Sequence, residues 1–229
     1  MSEASSEILL EAKGIQKTFK KGKLLIPVLR GVDFSIVRGE SVAIVGASGA
    51  GKSTLLHILG TLEEPTAGKV FFEGKDVFAG SEDERSRFRN RHLGFVFQFH
   101  YLLPEFTALE NVAMAGLIAG RHEKFLNPLA EELLTEVGLA HRLHHKPGEL
   151  SGGESQRVAV ARALMMKPEL MLGDELTGNL DSENSNNLIS LLLELNRRRG
   201  VSLVVVTHDV ALAKKMSRVV EMRDGRLVS

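Results

Sequence analysis

The chain has 229 residues, of which 43% are hydrophobic, and its 29 basic side chains balance 29 acidic ones, so the formal net charge is zero. A chain of this length can bury a sizeable core, and its charge balance argues against a protein that binds mainly by neutralising nucleic-acid phosphates. Because it contains no cysteine, it has no disulfide framework, no thiolate metal site and no cysteine nucleophile.

The sequence offers no segment of its own for entering a membrane. The N-terminal stretch MSEASSEILLEAKG lacks the basic start and apolar run of a signal peptide, so none is expected. Apolar runs such as SLVVVTH and LISLLLEL are far shorter than the roughly 18 residues that cross a bilayer. A role at a membrane would therefore require other polypeptides that span it.

The first part of the chain predicts an antiparallel strand pair and then a strand, loop and helix. Alternating apolar patterns at residues 8–19 and 26–37, separated by the turn-rich KKGK, predict the antiparallel strands. The apolar run from Val42 to Val45 predicts a buried strand, and an apolar-periodic helix begins at about Lys52. GKVFFEG then predicts a short strand, EDERSRFRNR a charged helix and LGFVFQ another strand.

The second part alternates helices with strands. Residues 107–147 have mostly helical patterns, with Pro128 suited to an early helical turn and Pro147 to a loop. The remaining elements are predicted as helices at 154–166, 182–198 and 209–217, strands at 169–173 and 201–206, and a closing hairpin turned by Asp224-Gly225. This order predicts a mostly parallel sheet covered on both faces, with residues 100–150 inserted between two halves of one α/β core.

The first motif with a chemical function is GASGAGKST. It fits the phosphate-binding pattern G-x-x-x-x-G-K-[ST] at Gly46, Gly51, Lys52 and Ser53, between a predicted strand and a predicted helix. Backbone N–H groups can curl around phosphate oxygens there, and the helix N-terminus adds partial positive charge. Lys52 can reach the β and γ phosphates, and the Ser53 hydroxyl is a hard-oxygen ligand for Mg²⁺. A chance glycine turn is the alternative, and a dinucleotide fold is disfavoured because G-x-G-x-x-G fails at Thr54.

A pair of carboxylates ends a later apolar strand. In ELMLGDELTGNLD, Asp174 and Glu175 lie where charge is costly unless a cation or a reaction uses it. Asp174 is predicted to hold Mg²⁺, directly or through water, and Glu175 to act as the general base that orients or deprotonates the attacking water. A solvated strand end is the alternative for the pair taken alone.

LSGGESQRVAVARAL places Ser151-Gly152-Gly153 immediately before an apolar-periodic helix, a second helix start suited to an anion. Together with the phosphate loop, the carboxylate pair and VVVTHD, which contains His208, it resembles the ATP-binding subunits of ABC transporters across essentially the whole chain. The resemblance implies an α/β P-loop NTPase of RecA-like core with an N-terminal antiparallel β subdomain and an inserted helical subdomain. It implies one domain over 1–229, with the core at about 1–98 and 155–229 and the helical subdomain with the signature at about 99–154.

The resemblance also implies ATP and Mg²⁺ as cofactors and a head-to-tail homodimer that encloses two ATP molecules. One subunit would bind each ATP through Gly46, Ala47, Ser48, Gly49, Ala50, Gly51, Lys52, Ser53 and Thr54, with Phe19 stacking on the adenine. The other subunit would contribute the signature residues Ser151, Gly152, Gly153 and Glu154, with Asp181 linking the two sites. The catalytic residues would be Lys52, Gln98, Glu175 and His208, and the Mg²⁺ ligands Ser53, Gln98 and Asp174. Taken alone, Phe19 would suit a core position and His208 a capping position.

Four positions depart from the family pattern. Phe19 stands where tyrosine is commoner, and Ser155 replaces a glutamine or charged residue, so we expect Ser155 on the exposed side of its helix. Gly173 stands where alanine is usual, and Leu176 where the family has proline. Leucine should loosen the turn that aims Glu175, unless tertiary packing holds it, which is the favoured alternative. Hydrolysis should be retained, with turnover slowed only if the turn is loosened, and a nearly inactive regulatory nucleotide-binding module remains the rival function.

Two charged clusters have plain interpretations. HRLHH, with His141, His144 and His145, is favoured as a solvated connector over a metal site because no carboxylate accompanies it. ERSRFRNRH is interpreted as a solvated basic helix, with contact to a transporter subunit as the alternative.

Residues 97–112 occupy the place where this family receives its membrane subunits. The predicted docking residues are His100, Tyr101, Leu102, Leu103 and Phe106, with a polar rim of Glu105, Glu110 and Asn111, while Leu109 and Val112 would turn inward. Four segments further resemble the ATPases of lipoprotein-releasing transporters of bacteria with two membranes: QFHYLLPEFTALENV, GTLEEPTAGKV, SGGESQRVAVARAL and EMRDGRL.

That resemblance implies a homodimer on two integral-membrane subunits, peripheral on the cytoplasmic face of the inner membrane, with lipoprotein cargo touched only indirectly and no nucleic acid bound. ATPases of macrolide exporters and of the cell-division ABC complex remain alternatives because they share most of the catalytic motifs. A soluble ABC ATPase of DNA repair or translation is disfavoured, since the chain has no long coiled-coil insertion, no second ATPase domain and no basic surplus.

Overall fold

The computed structural model describes residues 7–228. Residues 1–6, which begin the stretch interpreted as lacking a signal peptide, lie outside the described residues, as does residue 229. The strands are β1 (Ile8–Lys21), β2 (Leu24–Val37), β3 (Ser41–Val45), β4 (Ala67–Phe72), β5 (Lys75–Asp76), β6 (Leu93–Phe97), β7 (Leu170–Asp174), β8 (Ser202–Thr207), β9 (Arg218–Arg223) and β10 (Arg226–Val228). The helices are α1 (Lys52–Leu59), α2 (Glu82–His92), α3 (Ala108–Ile118), α4 (Glu123–Glu136), α5 (Gly152–Leu164), α6 (Ser182–Arg199) and α7 (Val210–Ala213).

Two sheets organise the chain. The N-terminal sheet is antiparallel, in the order β2-β1-β4-β5, and the central sheet has the order β10-β9-β3-β8-β7-β6. All neighbours in the central sheet pair in parallel except β10, which closes the edge as a hairpin with β9. The fold prediction, a mostly parallel α/β core with an antiparallel N-terminal part, is confirmed.

The central sheet is the middle layer of the molecule, which explains why its strands read as continuous apolar runs. Along β3, Val42 and Ile44 face the N-terminal sheet and α1, whereas Ala43 and Val45 face the helices α3 to α6. This alternation follows from the two-residue period of a strand. Both faces are therefore buried, and the phosphate loop, the carboxylate pair and His208 all follow the carboxyl ends of strands of this sheet.

The helical region between β6 and β7 consists of α3, α4 and α5 with short 3₁₀ turns at Ala140–Arg142 and Pro147–Glu149. Pro128 lies in the second turn of α4, not in an early turn as expected, because that helix already begins at Glu123. The helix expected at 209–217 is also shorter, since β9 begins at Arg218. The division of the domain near residues 98 and 155 stays a prediction.

The closing hairpin helps to fix the phosphate loop. Asp224 and Gly225 turn it with positive φ angles of 47° and 76°, as the sequence predicted for a two-residue turn. The Gly225 N–H donates to Ala50 O at 3.0 Å, and the Arg30 N–H donates to Gly225 O at 2.9 Å. The hairpin thereby ties β2 to the loop after β3. Within residues 7–228, no helix has both the length and the apolar character needed to cross a membrane.

Candidate active site

The loop over residues 46–54 leaves the carboxyl end of β3 and enters α1. A side chain at Gly46 would place its Cβ 2.2 Å from Met222 O, so only glycine fits this close approach. The buried Lys52 crosses the loop, and its Nζ donates to Gly46 O at 2.9 Å and to Ala47 O at 3.1 Å. The same ammonium lies 3.8 Å from Glu175 Oε1. The predicted loop therefore presents one buried cation beside a carboxylate from another strand.

Ser53 and Asp174 meet although they lie far apart in sequence. Ser53 Oγ donates to Asp174 Oδ1 at 2.9 Å, and His57 Nε2 lies 3.6 Å from Asp174 Oδ2. Gln98 follows β6, the strand that pairs with β7, and its side-chain amide lies against Gly178. Hydroxyl, carboxylate and amide oxygens are the hard ligands that Mg²⁺ prefers. The donor chemistry of these three residues thus fits the predicted cation, and their role as its ligands stays a prediction.

Glu175 and His208 form the second pair of the site. His208 Nδ1 lies 2.9 Å from Glu175 Oε2, which leaves Oε1 facing Lys52. The Glu175 backbone is left-handed, with φ at 46°, and its N–H donates to Val206 O at 3.0 Å. A left-handed conformation is costly for a residue with a side chain and is typical of functional sites. The structure brings together four predicted residues from three strand ends: Lys52, Asp174, Glu175 and His208.

Packing holds the turn that follows Glu175. Leu176 is only 3% exposed and belongs to the core, and Gly178 N–H donates to Glu175 O at 3.1 Å. A Cβ at Gly173 would lie 2.7 Å from Leu176 Cδ1 and 2.9 Å from its Cγ. Gly173 therefore leaves the space that the leucine fills, so the two departures from the family pattern are physically linked.

The signature residues form a capping box at the start of α5. The Ser151 hydroxyl accepts from Glu154 N–H at 3.2 Å, and Glu154 Oε2 accepts from Ser151 N–H at 2.8 Å. Arg142 Nε donates to Glu154 Oε1 at 2.8 Å. The hydrogen bonds from Ser151 and Arg142 lower the pKa of Glu154 to about 2. Among residues 7–228, no hydrogen bond or ion pair joins Ser151–Glu154 to the phosphate loop of the same chain.

The prediction for Ser155 was wrong. We expected this residue on the exposed side of the signature helix, but it is buried, with 7% exposure. The reason is helical spacing, since Ser155 lies on the same face as Val158 and Ala159, which are fully buried. The sequence comparison with the family pattern gave no information about which face the position occupies.

Phe19 and Asp181 are both exposed, as their predicted roles require. Phe19 is partly exposed on β1, with Lys17 Nζ 5.0 Å from its ring centroid. Asp181 caps α6 by accepting from Asn184 N–H at 2.8 Å. Hydrogen bonds from Asn184 lower the pKa of Asp181. Capping accounts for the local geometry of Asp181, and its link between two sites stays a prediction.

The docking segment, residues 99–106, is in large part exposed: Tyr101 is 65% exposed, and Leu103 and Phe106 are also exposed. His100 and Leu102 are partly buried, and Leu102 packs on the core. Glu105 is exposed, and Glu110 forms a capping box with Thr107 at the start of α3. Leu109 is partly buried and Val112 fully buried, as expected for inward positions.

Asn111 was expected on the polar rim, but it is fully buried. Its side-chain oxygen accepts from Leu103 N–H at 2.8 Å, and its amide donates to Leu103 O, Phe106 O and Thr107 O at 3.0 to 3.1 Å. Through these hydrogen bonds, the buried Asn111 fixes the backbone at the C-terminal end of the docking segment. Its predicted place on the rim was wrong because the sequence does not reveal that the chain folds back over this residue.

A groove of about 440 Å³ runs beside the docking segment. Sequence reasoning placed Tyr101 and Leu103 there, but it missed the apolar side chains from other segments that line the groove, which include Leu62, Phe95, Met114, Ile118 and Met166. From the sequence alone, each of these apolar residues would be assigned to the core. The structure shows that Leu62 and Ile118 are surface residues, because their side chains are highly exposed.

Comparison with known proteins gives consistent results. A family model described as ABC transporter matches residues 29–178. The chain is 54% identical over 221 residues to the lipoprotein-releasing system ATP-binding protein LolD of Syntrophus aciditrophicus (strain SB), covering 96% of this chain and 99% of the relative. It is 55% identical to the protein of that name from Geobacter metallireducens, over 96% of this chain and 98% of the relative.

Solved structures agree with the sequence matches. The dimeric, post-hydrolysis structure of the ATP-binding cassette MJ0796 bound to ADP and Pi superposes with a TM-score of 0.89 at 38% identity, covering 96% of this chain and 97% of that one. A further dimeric structure of MJ0796, a bacterial ABC transporter cassette, gives a TM-score of 0.89 at 39% identity with the same coverage.

Proposed function

The chain belongs to the ABC transporter family as an ATP-binding cassette, and we propose that it is the subunit that hydrolyses ATP to drive a lipoprotein-releasing transporter. The observation that carries the enzymatic part is the convergence of Lys52, Glu175 and His208 beside the phosphate loop. Two of these groups lie within 3.8 Å of the Glu175 carboxylate, one on each oxygen. Because each oxygen of this carboxylate has a partner, the carboxylate is held in one orientation, as expected for a group that positions or deprotonates the attacking water.

Lys52 and the loop backbone would bind the β and γ phosphates. The Lys52 ammonium now donates to two loop carbonyls, so phosphate oxygens would replace those acceptors. Because the side chain is buried, its charge is poorly screened and acts strongly on charge that develops during phosphoryl transfer. Mg²⁺, held by Ser53, Asp174 and Gln98, would supply neutralisation of the phosphate oxygens.

Glu175 and His208 would manage the water and the γ-phosphate. Glu175 Oε1, which is not bonded to His208, is the oxygen able to accept a proton from the attacking water. His208 would keep the carboxylate oriented through Nδ1, and its other ring nitrogen would face the γ-phosphate. The buried Leu176 holds the turn, so hydrolysis is expected to be retained.

The signature residues would complete the site of a second subunit. Ser151 has its hydroxyl at a helix start, where N–H groups and the helix dipole favour an anion. Within residues 7–228, no hydrogen bond or ion pair joins this helix start to the chain's own phosphate loop, and both neighbouring structures of MJ0796 are dimeric. These observations support our proposal of a head-to-tail homodimer that encloses two ATP molecules, with Asp181 between the two sites.

The groove and docking segment of each protomer would receive one of two integral-membrane subunits. The groove is largely apolar and is lined in part by Tyr101 and Leu103 of the docking segment. Phe106 of the same segment is also exposed, and this composition suits an amphipathic helix. The relatives' name supports lipoproteins as the cargo, released from the bacterial inner membrane towards the outer membrane. The chain itself would lie on the cytoplasmic face and would not touch the cargo.

Phosphate release by the wild type and by Glu175→Gln tests the enzymatic part. We expect the variant to bind ATP, to dimerise with it and to lose at least about 100-fold in rate. Equal rates would refute the proposal and favour the regulatory module. Affinity purification from native membranes tests the cargo, since co-purifying exporter or cell-division subunits in place of lipoprotein-releasing ones would overturn that assignment.

A further inference from the structure

Two other helix starts carry the same capping box as α5. They are formed by Ser81 with Glu84 at α2 and by Thr107 with Glu110 at α3. In both, the hydroxyl accepts from the glutamate N–H and also donates to the glutamate carboxylate, at 2.9 Å in α2 and at 2.7 Å in α3. The hydroxyl proton of these two boxes is therefore engaged within the box.

Ser151, at the start of α5, keeps its hydroxyl proton available. Its hydroxyl accepts from the Glu154 N–H at 3.2 Å, as in the other two boxes. Within residues 7–228, however, no contact of hydrogen-bond geometry runs from that hydroxyl to the Glu154 carboxylate. The hydroxyl also lowers the pKa of Glu154 less than the Arg142 guanidinium does. A hydroxyl that accepts one bond and keeps its own proton can donate to an anion.

Arg142 takes the place of the hydroxyl at the Glu154 carboxylate. Its Nε donates to Glu154 Oε1 at 2.8 Å, while Oε2 accepts from the Ser151 N–H. The Glu154 side chain is only 13% exposed, so the ion pair is screened less by salt than a surface pair would be. Glu154 is the acidic residue in the first turn of α5. Its charge is therefore the one that would repel a phosphate at this helix start.

His145 holds the other side of the same guanidinium. Arg142 Nη1 lies 3.0 Å from His145 Nε2, and because a guanidinium can only donate, Nε2 is the acceptor of this bond. The carbonyl of His145 accepts from the Ala108 N–H at 2.8 Å, which ties this turn to α3. The HRLHH segment, interpreted from the sequence as a connector, thus holds a cation against the signature residues.

We propose that Arg142 is a positioning residue of the composite ATP site. It neutralises the Glu154 carboxylate and leaves the Ser151 hydroxyl proton to donate to a phosphate oxygen of the ATP held by the other subunit. The inference rests on the proposed function, because a head-to-tail dimer is needed to bring that phosphate to Ser151. Since Arg142 acts through Glu154 and Ser151, its effect belongs to ATP-dependent dimerisation and not to ATP binding by the single subunit.

ATP-dependent dimerisation of the Glu175→Gln protein measures this role, because that variant is expected to retain ATP. In this background, Arg142→Gln should raise the dimer dissociation constant at least about tenfold, since an unneutralised carboxylate would then face the phosphates in each of the two sites. Sedimentation equilibrium with ATP and Mg²⁺ gives this constant.

Two further measurements frame the result. The ATP dissociation constant of the isolated subunit, measured by calorimetry below the concentration at which it dimerises, should change by less than about twofold in Arg142→Gln. Arg198→Gln, which removes an arginine from an exposed ion pair with Glu194 on α6, is the matched control. It should leave both dissociation constants unchanged.

A second substitution separates the charge from a merely structural role. A glutamine at position 154 can still accept from the Ser151 N–H, so the capping box survives, but no charge remains to be neutralised. Adding Glu154→Gln to Arg142→Gln should therefore return the dimer dissociation constant to within about threefold of the parent. If Arg142 served only to hold the helical region together, the double variant would dimerise as weakly as Arg142→Gln or more weakly.

The outcomes are distinguishable. An Arg142→Gln dimer as tight as that of Arg198→Gln overturns the proposal, and so does a failure of Glu154→Gln to restore dimerisation. If Arg142→Gln does not fold, Arg142→Lys replaces it, because a lysine lacks the fork that reaches both Glu154 and His145. It should weaken the dimer at least about threefold, again reversed by Glu154→Gln. Failure of the Glu175→Gln parent to dimerise with ATP would refute the proposed function instead.

Discussion

Replacing Gly173 by alanine tests whether Leu176 aims the catalytic carboxylate through packing. The new Cβ would lie 2.7, 2.9 and 3.1 Å from Leu176 Cδ1, Cγ and Cδ2, which is closer than carbon atoms approach. The backbone at 173 cannot retreat, because this residue pairs with Val96 on one side and Val205 on the other. Leu176 must therefore move.

The magnitude follows from the space around the leucine. The cavity beside it, lined by Ala43, Ile189 and Met216 among others, has a volume of about 10 Å³, which is room for no more than one water molecule. Overpacking of this kind costs about 1–3 kcal/mol of folding free energy. Because Leu176 follows Glu175 directly, its shift also displaces the carboxylate, and a misplacement of about 1 Å can cost on the order of 100-fold in rate.

The assay is a double-mutant cycle read by urea unfolding and by steady-state phosphate release. Gly173→Ala should lower the unfolding free energy by about 1–3 kcal/mol and slow turnover, and Leu176→Ala should also destabilise by about 2–5 kcal/mol. The double variant has room for the new Cβ, so it should be more stable than the sum predicts, with a coupling of about 1 kcal/mol or more. Gly173→Ala with Leu176→Pro, the family's usual pair, should recover turnover relative to Gly173→Ala alone.

Gly148→Ala is the matched control, because a Cβ there meets no atom within 4 Å and the backbone φ is not in the left-handed region. It should change neither stability nor rate. If Gly173→Ala behaves like Gly148→Ala, or if the coupling in the cycle is zero, the idea that the leucine fills the glycine's space is refuted.

Three further predictions concern the docking segment. Phe106→Asp should abolish association with the membrane subunits while the ATP dissociation constant of the isolated subunit, measured by calorimetry, changes by less than about twofold; loss of ATP binding would show that the residue is core. Asn111→Ala should cost about 1–3 kcal/mol in urea unfolding, since buried backbone groups lose their partner, and the exposed Asn127→Ala should cost nothing measurable, so equal effects would contradict the hydrogen-bond assignment. Burial and the charge of Arg162 lower the pKa of His100, so on acidification the unfolded chain takes up this proton before the folded chain does. The contribution of His100 to the unfolding free energy of the wild type should therefore be constant above pH 6.5 and fall as the pH drops below it. The His100→Gln variant should lose less unfolding free energy on acidification than the wild type, and the exposed-site control His122→Gln should lose as much as the wild type.

Local patterns were sufficient for much of the fold. The phosphate loop, the strands of the central sheet and the Asp224-Gly225 hairpin depend on residues adjacent in sequence, so periodicity and glycine placement predicted them. The proximity of Lys52, Asp174, Glu175 and His208 could also be anticipated, because the carboxyl ends of parallel strands meet at one edge of the sheet.

The errors lie where distant segments decide the environment of a residue. Ser155 and Asn111 are polar, and sequence alone favours the surface for both, yet α5 packs against the core at Ser155 and the docking segment covers Asn111. The apolar groove could not be foreseen for the same reason, since its side chains come from the turn after α1, from α2, β6, the docking segment and α3, and from α5 and the turn that follows it. Likewise, the link between Gly173 and Leu176 needs the three-dimensional distance between them.

The buried Asn111 bears on the thermodynamics of assembly. Four hydrogen bonds from one side chain fix the backbone between Leu103 and Thr107 before any partner arrives. A flexible loop would lose conformational entropy on association, and that loss would subtract from the affinity. Here the folding of the subunit has already met this cost, so a membrane subunit that enters the groove docks on a preorganised surface, with little backbone rearrangement and a correspondingly higher affinity per contact.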